Sequence, residues 1–350
     1  MSILQSLIKK EAIHIVRDKR TMLITLLMPL VLLLLFGFAI STEVNNIRLV
    51  AVADSHDDRT RDILERISVN EYFQFLGLVS PEDIEPMLRR GEIDAALLLH
   101  PDGEDMRSQI IVDASNTATA QAKTAYITGV TGGASGGDTI ITRTLYNPRM
   151  KSAYNFVPGI MGMIFILICA IMTSVSIVRE KENGTMDLLL VSPVKPATII
   201  LGKLIPYFLL SCIILAIMLV ISYTVLGLPL SASILDVVIL SLLYIVLSLS
   251  FGLLVSTIAD TQLTALIVSA MMLMVPVIML SGMIFPIDNM PVALQWISGI
   301  IPARWYIDAM RKLMIQQLCI GYVMEDVLIL LLMTTALLAL AIKKFRSAQQ

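Results

Sequence analysis

The chain has 350 residues, the length of two average domains, but 56% of them are hydrophobic and 15% charged, against roughly 25% charged in a soluble protein. The deficit is uneven: residues 43–155 hold 11 Lys/Arg and 17 Asp/Glu, a soluble density, whereas the rest is charge-poor as lipid-facing sequence is. The net charge of −2 says nothing about partners, no basic tract suggests nucleic acid, and none of the three cysteines falls in the charged stretch, which is left without a disulfide framework.

Residues 1–20 space Leu4, Leu7, Ile8, Ala12, Ile15 and Val16 at helical intervals, with Lys9, Lys10, Arg17 and Arg20 available to lipid phosphates. That pattern predicts an amphipathic helix in the membrane interface, either a plain anchor or a docking element. Residues 21–42 are free of charge and predict the first membrane span, since a crossing helix takes about 20 apolar residues. The next segment, 43–154, reads as a small α/β domain. Strands are expected at 48–53, 72–79, 95–99, 109–112 and 139–146, and helices at 57–69, 81–90 and 116–128. Ser80 and Pro81 suit the start of the second of these helices. The glycine-rich stretch 129–137 lacks the Lys-Ser/Thr of a phosphate loop and reads as a flexible connector.

A second span is expected at 155–178, followed by the polar segment 179–203. Within it Gly184 permits a sharp turn, Thr185 can cap a short helix, and Ser192-Pro193 stops that helix after about two turns. Such a helix would show Met186, Leu189 and Leu190 on one side, an apolar knob on a charged base that suits a partner's groove. The charge-free run 204–235 is too long for one crossing, and Gly227-Leu228-Pro229 breaks it. Spans at 204–226, 237–259 and 261–281 follow, the last two joined by the tight turn at 259–262. Pro286, Pro291, Gly299 and Pro302 break the segment 285–324, while Trp296, Trp305 and Tyr306 are residue types that favour the interface. The last span, 325–343, crosses if Lys343 and Lys344 snorkel, and a short tail covers 344–350.

Six spans place both termini on one side, and the short segments on that side carry Lys9, Lys10, Arg17, Lys19, Arg20, Arg179, Lys181, Lys195, Lys203, Lys343, Lys344 and Arg346. The short segments of the other side offer Arg304, Arg311 and Lys312, so the positive-inside bias predicts cytoplasmic termini and an extracytoplasmic 43–154 domain. The fold class is therefore an α-helical polytopic membrane protein with a small α/β domain inserted between its first two helices. Catalytic chemistry is missing. His14, His56 and His100 all lie outside the spans, so no zinc peptidase site and no metal is expected. The apolar runs of the spans, 327–342 in the last, carry no Asp, Glu, Lys or Arg, and Asp236 sits at a span end, which disfavours proton-coupled antiport. Gly202-Lys203 is followed by Leu204, no Walker A sequence occurs, and the chain is not expected to be an enzyme. Cys169, Cys212 and Cys319 read as apolar filler.

The segments Arg-Glu-Lys-Glu-x-Gly-Thr at 179–185, Leu-Leu-x-Ser-Pro at 189–193 and Gly-Lys-Leu-x-Pro-Tyr at 202–207 resemble the cytoplasmic loop of type-2 ABC exporter permeases. Arg17-Asp18-Lys19-Arg20 resembles the family's Arg-Asp-Pro-Arg, with Lys19 in place of the proline. Tyr146-Asn147-Pro148, Val157-Pro158-Gly159 and the run from Ser281 through Pro291 to Arg311 match in order, so that the resemblance covers the whole chain. The stretch 113–138 departs, being shorter and richer in glycine. The resemblance implies a multidrug-type efflux permease of the inner membrane that binds a separate cytoplasmic ATPase dimer, which carries the ATP and Mg; this chain carries no cofactor. It implies that Arg179, Glu180, Glu182, Gly184, Thr185, Met186, Leu189, Leu190, Ser192 and Pro193 form the ATPase-coupling element, with Arg17, Asp18 and Arg20 docking beside it. Gly282, Phe285, Pro286, Pro291, Trp296, Pro302 and Arg311 would shape a hairpin that dips into the outer leaflet. A second permease chain, identical or similar, completes the pathway for a lipophilic substrate. The insert's excess of acidic residues reads as a dock for a periplasmic adaptor or as ordinary solvated surface. An ATPase-driven signal transmitter acting on an extracytoplasmic partner is the alternative function.

Overall fold

The computed structural model describes residues 3–39, 47–53, 57–70, 72–102, 105–112, 117–131, 152–186, 196–285, 287 and 290–347. The chain forms two compact units, Ser41–Ser152 and the remainder, Met1–Ile40 with Ala153–Gln350. The larger unit begins with α1 (Ile3–Arg17) and α2 (Lys19–Ala39). Asp18 sits between them and caps α2: its carboxylate accepts from Thr21 N at 3.1 Å and from Thr21 Oγ1 at 2.7 Å. The two helices meet at 72°.

The smaller unit is built from β1 (Ile47–Ala53), α3 (Asp58–Val69), β2 (Phe73–Leu78), α4 (Pro81–Arg89), β3 (Ala95–Asp102), β4 (Asp105–Val112) and α5 (Thr117–Thr131). Its sheet has the order β2-β1-β3-β4, with β4 antiparallel and the rest parallel. Central β1 is apolar on both faces, as a strand covered on both sides must be. Leu49 and Leu97 pack with Ile63, Ile67 and Ile127 on one face, and Val50 and Val52 with Ile84 and Ile93 on the other. Asp57 starts α3 by accepting from Thr60 N at 3.1 Å, and Pro81 occupies the first turn of α4. Helix α5 runs to Thr131, three residues into the stretch expected to be a flexible connector. The rest of that stretch and the expected strand at 139–146 lie outside the described residues.

One charge cluster ties this unit together. Asp94 accepts from Arg48 N at 3.1 Å and Arg48 Nε at 3.0 Å, and its other oxygen pairs with Lys123 Nζ at 2.9 Å. Burial alone would raise the Asp94 carboxyl, but these donors hold it down to about 2. A carboxyl depressed in the folded state contributes stability above its ordinary value of 3.8 and loses it as pH falls through about 2. Asp94→Asn is therefore expected to cost about 1.5–3 kcal/mol at neutral pH. Faster hydrogen exchange in β1 and α5 would report it, with the difference from wild type vanishing between about pH 4 and about pH 2.

The larger unit resumes with α6 (Ser152–Glu182), α7 (Pro196–Thr224), α8 (Ile234–Ser256) and α9 (Gln262–Leu280). After these come α10 (Val292–Ser298), α11 (Pro302–Met314), a 3-10 turn at Ile320–Val323, and α12 (Met324–Ser347). Among the described residues, five helical stretches are long and apolar enough to cross a membrane, and a sixth is counted if α1 and α2 make one bent crossing. Residues 40–42 of the expected first span lie outside the described residues. Two expected boundaries are corrected. Helix α6 continues through Arg179–Glu182, and α7 starts at Pro196 rather than 204, so much of the expected polar loop is helical. Charged residues extend a helix past its apolar run without interrupting its backbone ladder, and proline is tolerated in a first turn.

The core centres on Tyr244 of α8 stacked on Tyr306 of α11, ring centroids 4.1 Å apart and planes 9° from parallel. Tyr244 OH donates to Gly162 O at 3.0 Å, and the Tyr306 hydroxyl bonds Ser241 Oγ at 3.0 Å. Tyr306 is thus fully buried, not an interface residue as its type led one to expect, because its hydroxyl finds a partner inside the bundle. Helices α6 and α8 touch backbone to backbone at Gly252, where a Cβ would stand 2.5 Å from Ala170 O. Hydroxyls inside the bundle bond back to their own helices: Ser211 to Tyr207 O, Ser222 to Met218 O, Ser248 to Tyr244 O, Ser250 to Val246 O and Thr334 to Leu330 O. Cys169 is buried, whereas Cys319 is exposed and is not the filler expected.

Candidate functional site

The last turn of α6 is a run of four charges, each engaged within the chain. Arg179 Nε donates to Gln262 Oε1 at 3.1 Å, and Gln262 Nε2 donates to Glu182 Oε2 at 2.6 Å. Lys181 pairs with Asp260 and donates to Ala259 O at 3.2 Å. These three residues therefore clamp α6 to the turn between α8 and α9. Glu180 faces the other way, with one oxygen 2.9 Å from Lys10 Nζ of α1 and the other 3.0 Å from Lys203 Nζ of α7.

Beyond this turn Gly184 takes φ 70°, a left-handed conformation that lets the chain reverse. The Thr185 hydroxyl donates to Glu180 O at 3.2 Å, closing α6, and residues 185 and 186 are helical; the remainder of the expected short helix lies outside the described residues. Met186 is 7% exposed, packed with Ile177, Ile200, Leu253 and Ala341. It belongs to the bundle and not to an exposed knob, because the turn at Gly184 folds it back against α7 and α8. Leu189, Leu190, Ser192 and Pro193 lie outside the described residues.

Helix α1 brings in the residue that pattern reading missed. Glu11 is 5% exposed, and its Oε1 accepts from Ser176 Oγ of α6 at 2.6 Å and Tyr207 OH of α7 at 2.9 Å. Its Oε2 lies 3.9 Å from Lys203 Nζ, and Lys203 is 6% exposed, although its sequence neighbours placed it in a polar loop. Two carboxylates and two ammoniums thus close a neutral cluster across three helices. Buried charges persist only when paired and hydrogen-bonded in this way. The signal for Glu11 was present: position 11 falls on the stripe of positions 4, 7, 8 and 15, so a carboxylate interrupts an apolar face and needs a partner there. Val16, assigned to that stripe, is exposed. Of the expected docking residues, Arg17 is exposed, Asp18 is used as the α2 cap, and the Arg20 side chain lies outside what is described. A cavity of about 440 Å³ opens beside the cluster, with Lys10, His14, Asp18, Arg179 and Asn183 among its polar lining and Ile15, Met22, Ile171 and Met172 among its apolar lining.

The hairpin segment is ordered by main-chain contacts. Arg311 Nη2 donates to Gly282 O at 3.2 Å, holding the turn where Gly282 takes φ 80°. Trp305 Nε1 donates to Gly299 O at 2.9 Å, and Arg304 Nη1 to Gln295 O at 2.9 Å. Pro291 and Pro302 begin α10 and α11, Trp296 is 78% exposed and Phe285 exposed, while Pro286 lies outside the described residues. The lone span-end Asp236 accepts from Ile320 N at 3.1 Å, and buried Asp326 pairs with Lys312 at 2.9 Å. Burial opposes the Lys312 charge, but Asp308 and Asp326 outweigh it and raise its pKa.

A family model described as ABC-2 family transporter protein matches residues 19–343. The probable multidrug ABC transporter permease YbhS of Escherichia coli (strain K12) is 30% identical over 329 residues, 88% of this chain and 87% of its own length. The probable multidrug ABC transporter permease YbhR of the same organism is 28% identical over 364 residues, 98% of each chain. Its inner membrane transport permease YhhJ is 24% identical over 350 residues, 90% of this chain and 91% of its own length. With these matches spanning an apolar, multi-helix chain, the protein belongs to the ABC-2 transporter family, as a multi-pass permease component and not as the ATPase.

Proposed function

We propose that this permease moves a lipophilic or amphipathic substrate out of the cytoplasm or inner leaflet, energised by a separate ATPase dimer and working beside a second permease chain. The names of its relatives support a drug-like substrate, and the apolar, methionine-rich face of α9, with Met271 and Met272 exposed, suits either lipid or a second permease. Six crossings with both termini in the bacterial cytoplasm and the 43–154 domain outside accord with the bias of basic residues.

The observation that carries this reading is the end of α6. Immediately before the segment 187–193, four consecutive charges brace α6 against α1 and α7 on one side and the α8–α9 turn on the other. A push at 180–192 therefore reaches four other helices at once, which is what an element driven by an external ATPase requires. Purification of the tagged chain from membranes tests it. An ATPase subunit is expected to accompany the wild type and to be reduced more than about tenfold by Leu189→Asp with Leu190→Asp. Intact wild type that brings down no ATPase would remove the reading.

A further inference from the structure

Lys10 and Glu11 are consecutive on α1, carry opposite charges, and take opposite partners: Lys10 meets Glu180, and Glu11 meets Lys203. Glu180 and Lys203 themselves pair at 3.0 Å. Successive helix positions are separated by about 100° and 1.5 Å of rise. Sliding α1 by one residue would therefore set Glu11 against Glu180 in one direction, with Ala12 left facing Lys203, or Lys10 against Lys203 in the other, a like-charge contact beside the largely buried Lys203 and Glu180 either way. The arrangement fixes one register of α1 and penalises its neighbours, the best-attested use of buried polar groups.

The packing beside the charges has the same effect. A Cβ at Gly202 would fall 2.8 Å from Leu7 Cβ, so α1 and α7 are in close contact one residue from Lys203. Glu11 Oε1 is shared by hydroxyls of α6 and α7, which places three helices on a single oxygen. At its far end α1 runs into Asp18 and the cap of α2. Taken for stability alone the cluster is a poor investment, since buried ion pairs add little over apolar side chains of similar size.

We infer that Glu11 is a positioning residue for energy coupling: through Lys203 and Glu180 it locks α1 to the end of α6, so that motion imposed at 180–192 is delivered through α1 to α2. This rests on the reading of the chain as an ATP-driven permease. Loss of the lock leaves the partner bound and hydrolysing ATP while α1 no longer follows.

The test uses the full permease with the ATPase that accompanies it, in vesicles of phosphatidylethanolamine and phosphatidylglycerol. Hydrogen exchange of α1 amides is followed with and without ATP plus vanadate. In the wild type, α1 exchange is expected to differ between the two conditions. Glu11→Gln leaves Lys203 sharing Glu180 with Lys10; its α1 should exchange more than about tenfold faster and identically in both conditions, with ATPase retained. Glu11→Asp keeps the carboxylate that faces Lys203, Ser176 and Tyr207, and it should recover the nucleotide response. A nucleotide response that survives in Glu11→Gln, or a Glu11→Asp variant no better than it, overturns the inference. So does a wild type whose active ATPase leaves α1 unchanged, or a Glu11→Gln variant that loses the ATPase, since Glu11 would then belong to docking. A wild type that brings down no ATPase removes the underlying reading as well.

Discussion

Tyr306→Ala is expected to lower the stability of the helical unit by about 3–5 kcal/mol, the cost of deleting a large side chain from a close-packed core. The ring is fully buried, stacked on Tyr244 at 4.1 Å, and flanked by Gly162, where an added Cβ would meet Ile307 and Tyr306. Truncation also strips Ser241 of its hydroxyl partner. Tyr306→Phe separates the two contributions: it keeps the stack, loses the bond, and should cost about 1 kcal/mol. Trp296→Ala is the control, since that ring is 78% exposed and should shift stability by less than about 0.5 kcal/mol. Thermal midpoints of the detergent-purified protein, followed by size-exclusion chromatography after heating, give the ranking. Near-equal midpoints for Tyr306→Ala and Trp296→Ala would deny the stack its central place.

The second large effect is at Gly252. A Cβ there would stand 2.5 Å from Ala170 O, 2.8 Å from Ala170 Cα and 2.8 Å from Thr173 Cβ. Two of these atoms are helix backbone and cannot swing aside, so α6 and α8 must part. Small residues at such contacts are what allow membrane helices to approach, there being no hydrophobic drive between them in lipid. Gly252→Ala should cost about 1–3 kcal/mol and Gly252→Leu more, with loss of folded permease from membranes. Gly321→Ala, which meets nothing within 4 Å, should be close to neutral. The comparison is made by the amount of monodisperse protein recovered, and equal recovery of Gly252→Leu and wild type would contradict the contact.

Long apolar runs made the crossing helices legible, because twenty charge-free residues have few other uses. The break at Gly227 and the turn before Gln262 were readable for the same reason, as local chemistry acting locally: Gly227 takes φ 63° and Thr261 caps α9. Four of the small unit's expected strands were legible from their length and apolar content, although the sheet order, which depends on crossovers between distant segments, was not. Lys203 was misread because its partners, Glu11 and Glu180, are far off in the sequence, and a hydropathy window sees only an isolated ammonium. Met186 was misplaced on the same ground: its burial depends on Leu253 and Ala341 arriving from elsewhere. Glu182 and Arg179 read as the charged base of a partner-facing knob, and they share one glutamine across a turn. Charges near a membrane helix end thus divide into those that greet water and those that tie helices together, and single-sequence pattern does not distinguish them.

The back-bonded hydroxyls within the bundle have a consequence for what can leak through it. Protons hop along side chains that can both accept and hand on, and each hydroxyl must turn to do so. Ser211, Ser222, Ser248, Ser250 and Thr334 have their protons committed to carbonyls one turn earlier in their own helices. Turning one outward breaks a bond worth about 1 kcal/mol, and a relay needs several such turns in series. At these five positions the bundle is in this sense electrically insulated: its helices can tilt and slide past one another there without these hydroxyls joining into a conducting wire.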